Sequence, residues 1–366
     1  MNANSHNSLT KATKVNPQVD VAGTPSGSVV AGGAAAEAAS PVGTTSERRN
    51  VAADASPPRT PLSVQAAGLA FQNPLVLAGG TAAYGREIAE VVDLERLGGL
   101  VTKAVSLAPR SGAPPLRVGE FNGGMINAVG LANPGVVAVR EQELPWLAAN
   151  VRRARVIVNV VGFEVGEFAE VVARLDDSAG IDAYELNVSC PNVKAGGMEF
   201  GASPVALRQV VELARAATRR PLFVKLSPAL EDVVSAASIA VDAGADAITL
   251  VNTIPGLVID VERRRPALGF GRGGVSGSAL LPIGVLATWK VHSAQLGVPL
   301  MGLGGVTTAS DALQYILAGA SVVGMGTAAL RDPRAPERLV RELEAWCRSH
   351  GVGTLADLTG ALEWPE

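Results

Sequence analysis

From Leu62 onward the chain repeats one unit eight times: a short β-branched run, then a helical stretch. The runs are Pro74–Ala78, Gly99–Ala104, Val156–Val161, Ala183–Val188, Leu222–Leu226, Ala247–Val251, Pro299–Leu303 and Ser321–Met325. Each has a Gly, Asn or Lys next to its last residue. Between them lie helix-like stretches such as Ala206–Ala217, Glu231–Ala243 and Asp311–Ala318. Gly244-Ala245 and Gly319-Ala320 close two of these units, and a glycine there suits the left-handed turn after a helix. Runs that are apolar throughout and alternate with helices imply a parallel sheet buried on both faces. Eight such units close most simply into a (β/α)₈ TIM barrel. An open doubly wound sheet is the rival, and the count and even spacing favour the barrel.

Residues 1–60 differ from the rest. They are rich in Ala, Gly, Ser, Thr, Pro and Val, and the first aromatic of the chain is Phe71. Such a segment buries too little surface to offset its ordering entropy, so the expectation is a disordered tail before one catalytic domain at 61–366. A membrane-docking helix pair is disfavoured there, because the alanine-rich patches carry few large apolar side chains. No apolar run reaches the roughly 18 residues of a membrane helix, and the polar start is unlike a signal peptide.

Charge and cysteine usage narrow the function further. The net charge of −3 shows none of the basic surplus that nucleic-acid binders carry. Cys190 and Cys347, the two cysteines, are too few for a disulfide framework or for an iron–sulfur cluster, which takes about four ligands. His6, His292 and His350 stand apart from other candidate ligands, so no metal site is expected. The reading is a reducing, cytoplasmic compartment.

Chemistry gathers at the C-terminal ends of the runs, where barrel active sites lie. In chain order these ends carry Ala78-Gly79-Gly80, Lys103, Asn159, Asn187 leading into Cys190 and Asn192, Lys225, Asn252-Thr253, Gly304-Gly305 and Gly326-Thr327. Polar groups buried without partners are costly, so a purely structural barrel has no reason to place them there. The glycine pairs after runs seven and eight match the usual barrel phosphate site, although each alone reads equally as a turn. Lys103 and Lys225 lie inside apolar runs. Facing inward, each needs an anionic partner: a phosphate, a carboxylate or a reduced flavin. Otherwise each is a strand-end lysine reaching solvent. Cys190 sits in a loop on the active face between hydrogen-bonding asparagines, while Cys347 reads as structural. Two connections, from Ser106 to about Val136 and from Ile254 to about Leu280, are too long for turns and read as binding loops or lids.

Asn187-Val-Ser-Cys-Pro-Asn-Val-Lys194, followed by Gly196-Gly197, resembles the class 1 dihydroorotate dehydrogenases. Met125-Ile-Asn-Ala-Val-Gly-Leu-Ala-Asn-Pro-Gly135 is similar to that family's substrate loop. Val224–Pro228, Asn252-Thr253, Gly273–Gly277, Gly302–Val306 and Gly326-Thr327 follow in the family's order. The resemblance spans Leu62 to the C-terminus. It implies FMN, held by Ala78, Gly79, Gly80, Lys103, Asn159, Asn187, Lys225, Gly277, Gly304, Gly305, Gly326 and Thr327. It implies dihydroorotate held by Lys103, Asn127, Val129, Gly130, Leu131, Asn187, Asn192, Asn252 and Thr253. Cys190 is then the catalytic base, taking the C5 proton of dihydroorotate while the hydride on C6 passes to flavin N5.

Cysteine rather than serine at 190 separates the chain from the membrane-bound class 2 enzymes. The Asn-Val-Lys-Ala-Gly-Gly continuation resembles the NAD-linked 1B branch more than the fumarate-linked 1A branch. The 1B branch implies a partner subunit with FAD and a [2Fe–2S] cluster, and analogy implies a homodimeric core. One departure is Gly79, where the family commonly has serine; the loss of that hydroxyl puts one flavin contact in doubt. The rival readings are a related flavin barrel acting on another pyrimidine (dihydropyrimidine dehydrogenase-like), a tRNA dihydrouridine synthase, and a flavin-binding protein without turnover.

Overall fold

Each of the eight apolar runs forms a strand, and the eight close into a parallel barrel. In chain order they are β1 (Leu75–Leu77), β2 (Gly99–Val101), β3 (Arg155–Val160), β4 (Ala183–Asn187), β5 (Leu222–Leu226), β6 (Ala247–Leu250), β7 (Leu300–Leu303) and β8 (Ala320–Met325). Sequential strands are neighbours, and β8 closes the ring on β1 through Val323↔Leu75 and Met325↔Leu77. This computed structural model describes residues 60–189, 191–192 and 198–365. Residues 1–59 of the expected tail, and Cys190, lie outside the described residues.

The period of two along each strand sorts side chains between two cores. One set, such as Leu100, Val158, Tyr184, Leu186 and Val224, packs outward against the helices. The alternate set, including Val76, Val101, Ile157, Ala183, Phe223, Ala247, Met301 and Val322, fills the barrel interior. Val64, Ala66 and Phe71 join this second cluster. They come from an antiparallel hairpin, Val64–Ala66 with Leu69–Phe71, that stoppers the N-terminal end of the barrel. The site is therefore confined to the opposite end.

Three helices begin slightly away from the bounds expected from sequence, each because of a cap. The stretch expected at Glu231–Ala243 is helical over Val233–Asp242, since the Asp232 carboxylate accepts from Val234 N and Ser235 N. Ser203 caps Pro204–Ala217, with proline in the first turn where its missing N–H costs nothing. Thr308 and Asp311 form a capping box on Ala309–Leu317, so Asp311 lies inside the helix it was expected to start. Gly244 and Gly319 adopt φ of +108° and +113°, as expected of residues that follow helix ends.

The two long connections are not loops throughout, which corrects the sequence reading. Segments Ile254–Gly256, Gly273–Ser276, Gly124–Asn127 and Val118–Phe121 pair in that order as a four-stranded antiparallel sheet. Its central ladder joins Gly274↔Asn127, Val275↔Ile126 and Ser276↔Met125. These strands are short and rich in glycine, and the central ladder pairs one connection with the other. No local apolar alternation announced them. The sheet ties both connections into one element standing at the C-terminal side of the barrel.

Candidate active site

Above the apolar plug, the inward positions of β3 to β6 turn polar. Asn159, Glu185, Lys225 and Thr249 are all buried, at 2%, 0%, 6% and 0% exposure. Their order follows from strand register. Asn159 pairs with Glu185 across β3 and β4, and Lys225 pairs with Asn187 on one side and Thr249 on the other. Lys225 is therefore an inward lysine, not a strand-end lysine reaching solvent. Among the described residues, neither Lys225 nor the half-buried Lys103 forms an ion pair.

Two atoms of this layer are orphaned. Glu185 Oε2 and Thr249 Oγ1 are buried without a hydrogen-bond partner. Buried polar atoms are normally satisfied, so each such exception calls for an explanation. The other oxygen of Glu185 accepts from Asn159 Nδ2 at 2.6 Å. Gly79 lies directly over that pair: a Cβ there would stand 3.3 Å from Asn159 Nδ2 and 3.5 Å from Glu185 Oε1. Its neighbour Ala78 is buried and donates its N–H to Met325 O at 2.8 Å, joining β1 to β8. Gly80 is exposed, with φ of +85° and open space where a Cβ would lie.

The second cluster lies after β7 and β8. Gly277, Gly305, Gly326 and Thr327 line one concavity together with Ser278, Val306, Thr307, Ala328 and Arg331. Thr327 Oγ1 donates to Ser276 Oγ at 2.8 Å, linking the end of β8 to the antiparallel sheet. Gly305 has φ of +76°, and a Cβ on it would sit 2.6 Å from Leu281 N. Only glycine permits that approach. Gly304 stands behind the concavity and accepts at its carbonyl from Tyr315 Oη at 2.8 Å. The adjoining Thr307 and Thr308 are held by Asp311 Oδ2, which accepts from Thr307 N, Thr307 Oγ1 and Thr308 N. Burial works to raise the Asp311 carboxyl, but these hydrogen bonds outweigh it and hold the group below its ordinary range.

The residues expected to meet substrate stand around the mouth. Asn252 Nδ2 donates to Asn187 Oδ1 at 3.0 Å, and Asn252 Oδ1 accepts from Thr253 N at 2.8 Å. Asn127 is half-buried and donates to Gly274 O at 3.2 Å. Val129, Gly130 and Leu131 form a turn against the Ser106 segment, where Ala113 N donates to Val129 O at 3.0 Å. Asn133, not singled out from sequence, organises this turn. Its Nδ2 donates to Ser106 Oγ and Leu131 O at 2.8 Å each, and its Oδ1 accepts from Gly135 N at 2.9 Å. Asn192 pairs with Met198 in a two-residue ribbon, where its backbone alone is described. Glu199, at the other end of the ribbon, has its carboxyl pushed up by burial, with a hydrogen bond from Ser227 opposing the shift.

Beyond Asn133, sequence reading passed over Glu185, Thr249, Ser276, Ser278 and Arg331. For Glu185 a signal existed, since it stands two positions from Asn187; Thr249 stands an odd three positions from Asn252 and gave none. Ser276 and Ser278 lie in a connection with no period to read, and Arg331 ends the short helix Thr327–Arg331.

The arrangement offers a deep polar layer with unmet hydrogen-bonding capacity, a phosphate-sized glycine cradle at one side and amide groups at the rim. That set fits a planar, polar-edged cofactor carrying a phosphate. Among the described residues no group of three His, Cys, Asp or Glu is placed to hold a metal ion, and no helix is long and apolar enough to cross a membrane.

Comparison with known proteins agrees with this picture. Residues 61–346 match the family model for dihydroorotate dehydrogenase. The chain is 46% identical over 305 residues to the dihydroorotate dehydrogenase B (NAD(+)) catalytic subunit of Geobacter sp. strain M21, covering 83% of this chain and 99% of that protein. It is 47% identical over 302 residues to the like-named subunit of Pelobacter propionicus, covering 82% and 98%. It is 48% identical over 299 residues to that of Desulforudis audaxviator, covering 82% and 96%.

Proposed function

The chain belongs to the dihydroorotate dehydrogenase family, and from that premise we propose that it is the catalytic subunit of an NAD-linked enzyme oxidising (S)-dihydroorotate to orotate in pyrimidine biosynthesis. The observation that carries the reading is the polar interior layer, with Lys225 buried and two oxygens left unmet, beside the cradle of Gly277, Gly305, Gly326 and Thr327. No other pyrimidine is favoured by any feature of the site.

FMN is the cofactor this reading requires, and the residues present suit it. Gly277, Gly305, Gly326 and Thr327 would hold the phosphate, with Gly304 shaping the turn. Ala78, Gly79, Gly80, Asn159, Asn187, Lys103 and Lys225 would meet the ring. When bound, FMN supplies the acceptor for the hydride leaving C6 of dihydroorotate.

The protein's own residues do the rest. Asn127, Asn187, Asn192, Asn252 and Thr253 hold the substrate's ring amides and carboxylate, a task that suits asparagine because it both donates and accepts. Lys103 adds a positive charge for the carboxylate, and the turn Val129–Leu131 closes over the ring. Cys190 takes the C5 proton as a thiolate. Lys225 holds positive charge beneath the site, where electron density arrives. Gly79 in place of a serine leaves the backbone of that loop to make the contact.

The relatives' shared name, catalytic subunit, supports a companion chain in the functional assembly. The resemblance to the 1B branch implies that this companion bears an FAD and a [2Fe–2S] cluster, which the two cysteines of this chain are too few to ligate. A homodimeric core and a cytoplasmic setting complete the proposal.

The test is anaerobic. The purified chain is loaded with FMN, its visible spectrum recorded, and dihydroorotate added. Bleaching of the yellow flavin is the expected result. A flavin that binds but stays oxidised with dihydroorotate, and bleaches with another dihydropyrimidine, moves the substrate elsewhere. Failure to bind FMN overturns the reading of the site.

A further inference from the structure

We propose that Glu185 is a positioning residue of the redox site, which acts through Asn159 to fix the polarity of the amide that the bound cofactor meets. The proposal rests on the reading that this barrel mouth takes FMN.

Glu185 is fully buried on an inward position of β4, between the apolar plug and Asn187. A charged residue type at such a depth needs a reason. It does not serve the helices, because its strand neighbours Tyr184 and Leu186 are the ones facing them. Nor is it an ion-pair partner of Lys225 among the described residues. Its one hydrogen bond is the contact at 2.6 Å from Asn159 Nδ2 to Oε1, and Oε2 has no partner.

That contact sets the direction of the Asn159 amide. A carboxylate offers only acceptors, so the nitrogen end of Asn159 must turn to it. The oxygen end, Oδ1, then points away from Glu185, and among the described residues nothing donates to it. With glutamine at 185 either end of the Asn159 amide finds a complement, and the fixed polarity is lost. An acceptor at Asn159 matches the imide N–H, the ring donor of an oxidised flavin. Gly79 leaves room beside the pair, since a Cβ there would stand 3.3 Å from Asn159 Nδ2 and 3.5 Å from Glu185 Oε1.

A polarity swap tests this on the full chain. Glu185→Gln is near-isosteric and removes the obligate acceptor. Combining it with Asn159→Asp restores a fixed pair, because an aspartate must accept from Gln at 185 and still presents an oxygen to the site. Total charge is then as in the wild type. FMN binding is read by quenching of free-flavin fluorescence, the flavin midpoint potential by dye equilibration, and folding by thermal unfolding of the apoprotein. The expected result is an FMN dissociation constant about tenfold weaker in Glu185→Gln, a displaced midpoint potential, and recovery of most of both in the double variant. Wild-type affinity and potential in Glu185→Gln would overturn the proposal. So would a double variant no better than the single one while both apoproteins unfold like the wild type. If Glu185→Gln does not fold, the double variant decides alone: wild-type-like binding supports the proposal, and weak binding by a folded protein or failure to fold overturns it. A wild-type chain that binds FMN but is not reduced by dihydroorotate sinks the substrate reading and leaves this one standing. One that binds no FMN sinks both.

Discussion

Asn252 and Asn187 are joined across the strand that carries Lys225, by a hydrogen bond of 3.0 Å from Asn252 Nδ2 to Asn187 Oδ1. Asn252 is itself held, because its Oδ1 accepts from Thr253 N at 2.8 Å. The chain thereby fixes the Asn187 amide with its oxygen occupied and its nitrogen turned to donate. Replacing Asn252 by Asp sets an acceptor against an acceptor. One lost hydrogen bond plus the unpaired group costs about 1–3 kcal/mol. We expect Asn252→Asp to raise KM for dihydroorotate roughly ten- to a hundredfold. The flavin-to-protein absorbance ratio should stay at the wild-type value, and a fall in it would place Asn252 on the cofactor instead.

Cys190→Ala should retain FMN and lose about 10²- to 10⁴-fold in turnover near neutral pH, the usual worth of a positioned general base. Cys190→Ser should regain part of that rate as pH rises, since a hydroxyl is a weaker acid than a thiol. Stopped-flow bleaching across a pH series measures both. An unchanged rate in the alanine variant removes Cys190 from the base role.

Lys225 is buried at 6% exposure and faces inward from β5. Removing its charge takes away stabilisation of the electron-rich reduced site. Lys225→Met should therefore lower the flavin midpoint potential and slow anaerobic reduction by dihydroorotate at least about tenfold. A potential equal to that of the wild type would mean that the ammonium serves the fold or the phosphate.

Gly305→Ala tests the cradle. The substitution forces a side chain into φ of +76° and places its Cβ 2.6 Å from Leu281 N, a backbone atom with nowhere to go. Strain of this kind costs about 1–3 kcal/mol. We expect a lower thermal midpoint and loss of FMN during gel filtration. Gly326→Ala is the comparison, because its added Cβ meets nothing closer than 3.6 Å. It should cost little stability.

Asp311 links pH to the same region. Its carboxyl is depressed in the folded protein by hydrogen bonds from Thr307 and Thr308 that outweigh its burial. A depressed pKa means the stabilisation is complete above the unfolded value and is lost as pH falls through the folded one. The gap in thermal midpoint between wild type and Asp311→Ala should be full above about pH 5 and close as pH drops below the ordinary aspartate value of about 3.9. A gap that stays constant with pH would mean the cap works by shape and not by charge.

How far each of these residues could be foreseen depended on whether its signal was local. All eight barrel strands were visible as apolar runs because a strand buried on both faces must be apolar along its length. Lys103, Asn159, Lys225 and Asn187 stood out as polar exceptions at the ends of those runs. The Cys190 and Asn192 segment stood out as a motif. Glu185 was open to the same logic, since an inward Asn187 implies an inward residue two positions earlier.

Other features were decided only when distant parts of the chain met. The sheet joining Gly124–Asn127 to Gly273–Ser276 pairs segments about 150 residues apart through glycine-rich backbone, as the 147-residue separation of Asn127 and Gly274 illustrates. Backbone pairing of that kind leaves no side-chain period to read. The Asn252–Asn187 bridge, the Thr327–Ser276 link and the place of Gly79 beside Asn159 and Glu185 likewise arise from ring closure, which sets strand ends side by side. Sequence alone determined that this chain makes a barrel and which polar residues crowd its active end. Which atom of each amide points where was settled by tertiary structure, because a hydrogen bond's direction depends on a partner that no local stretch of sequence can name.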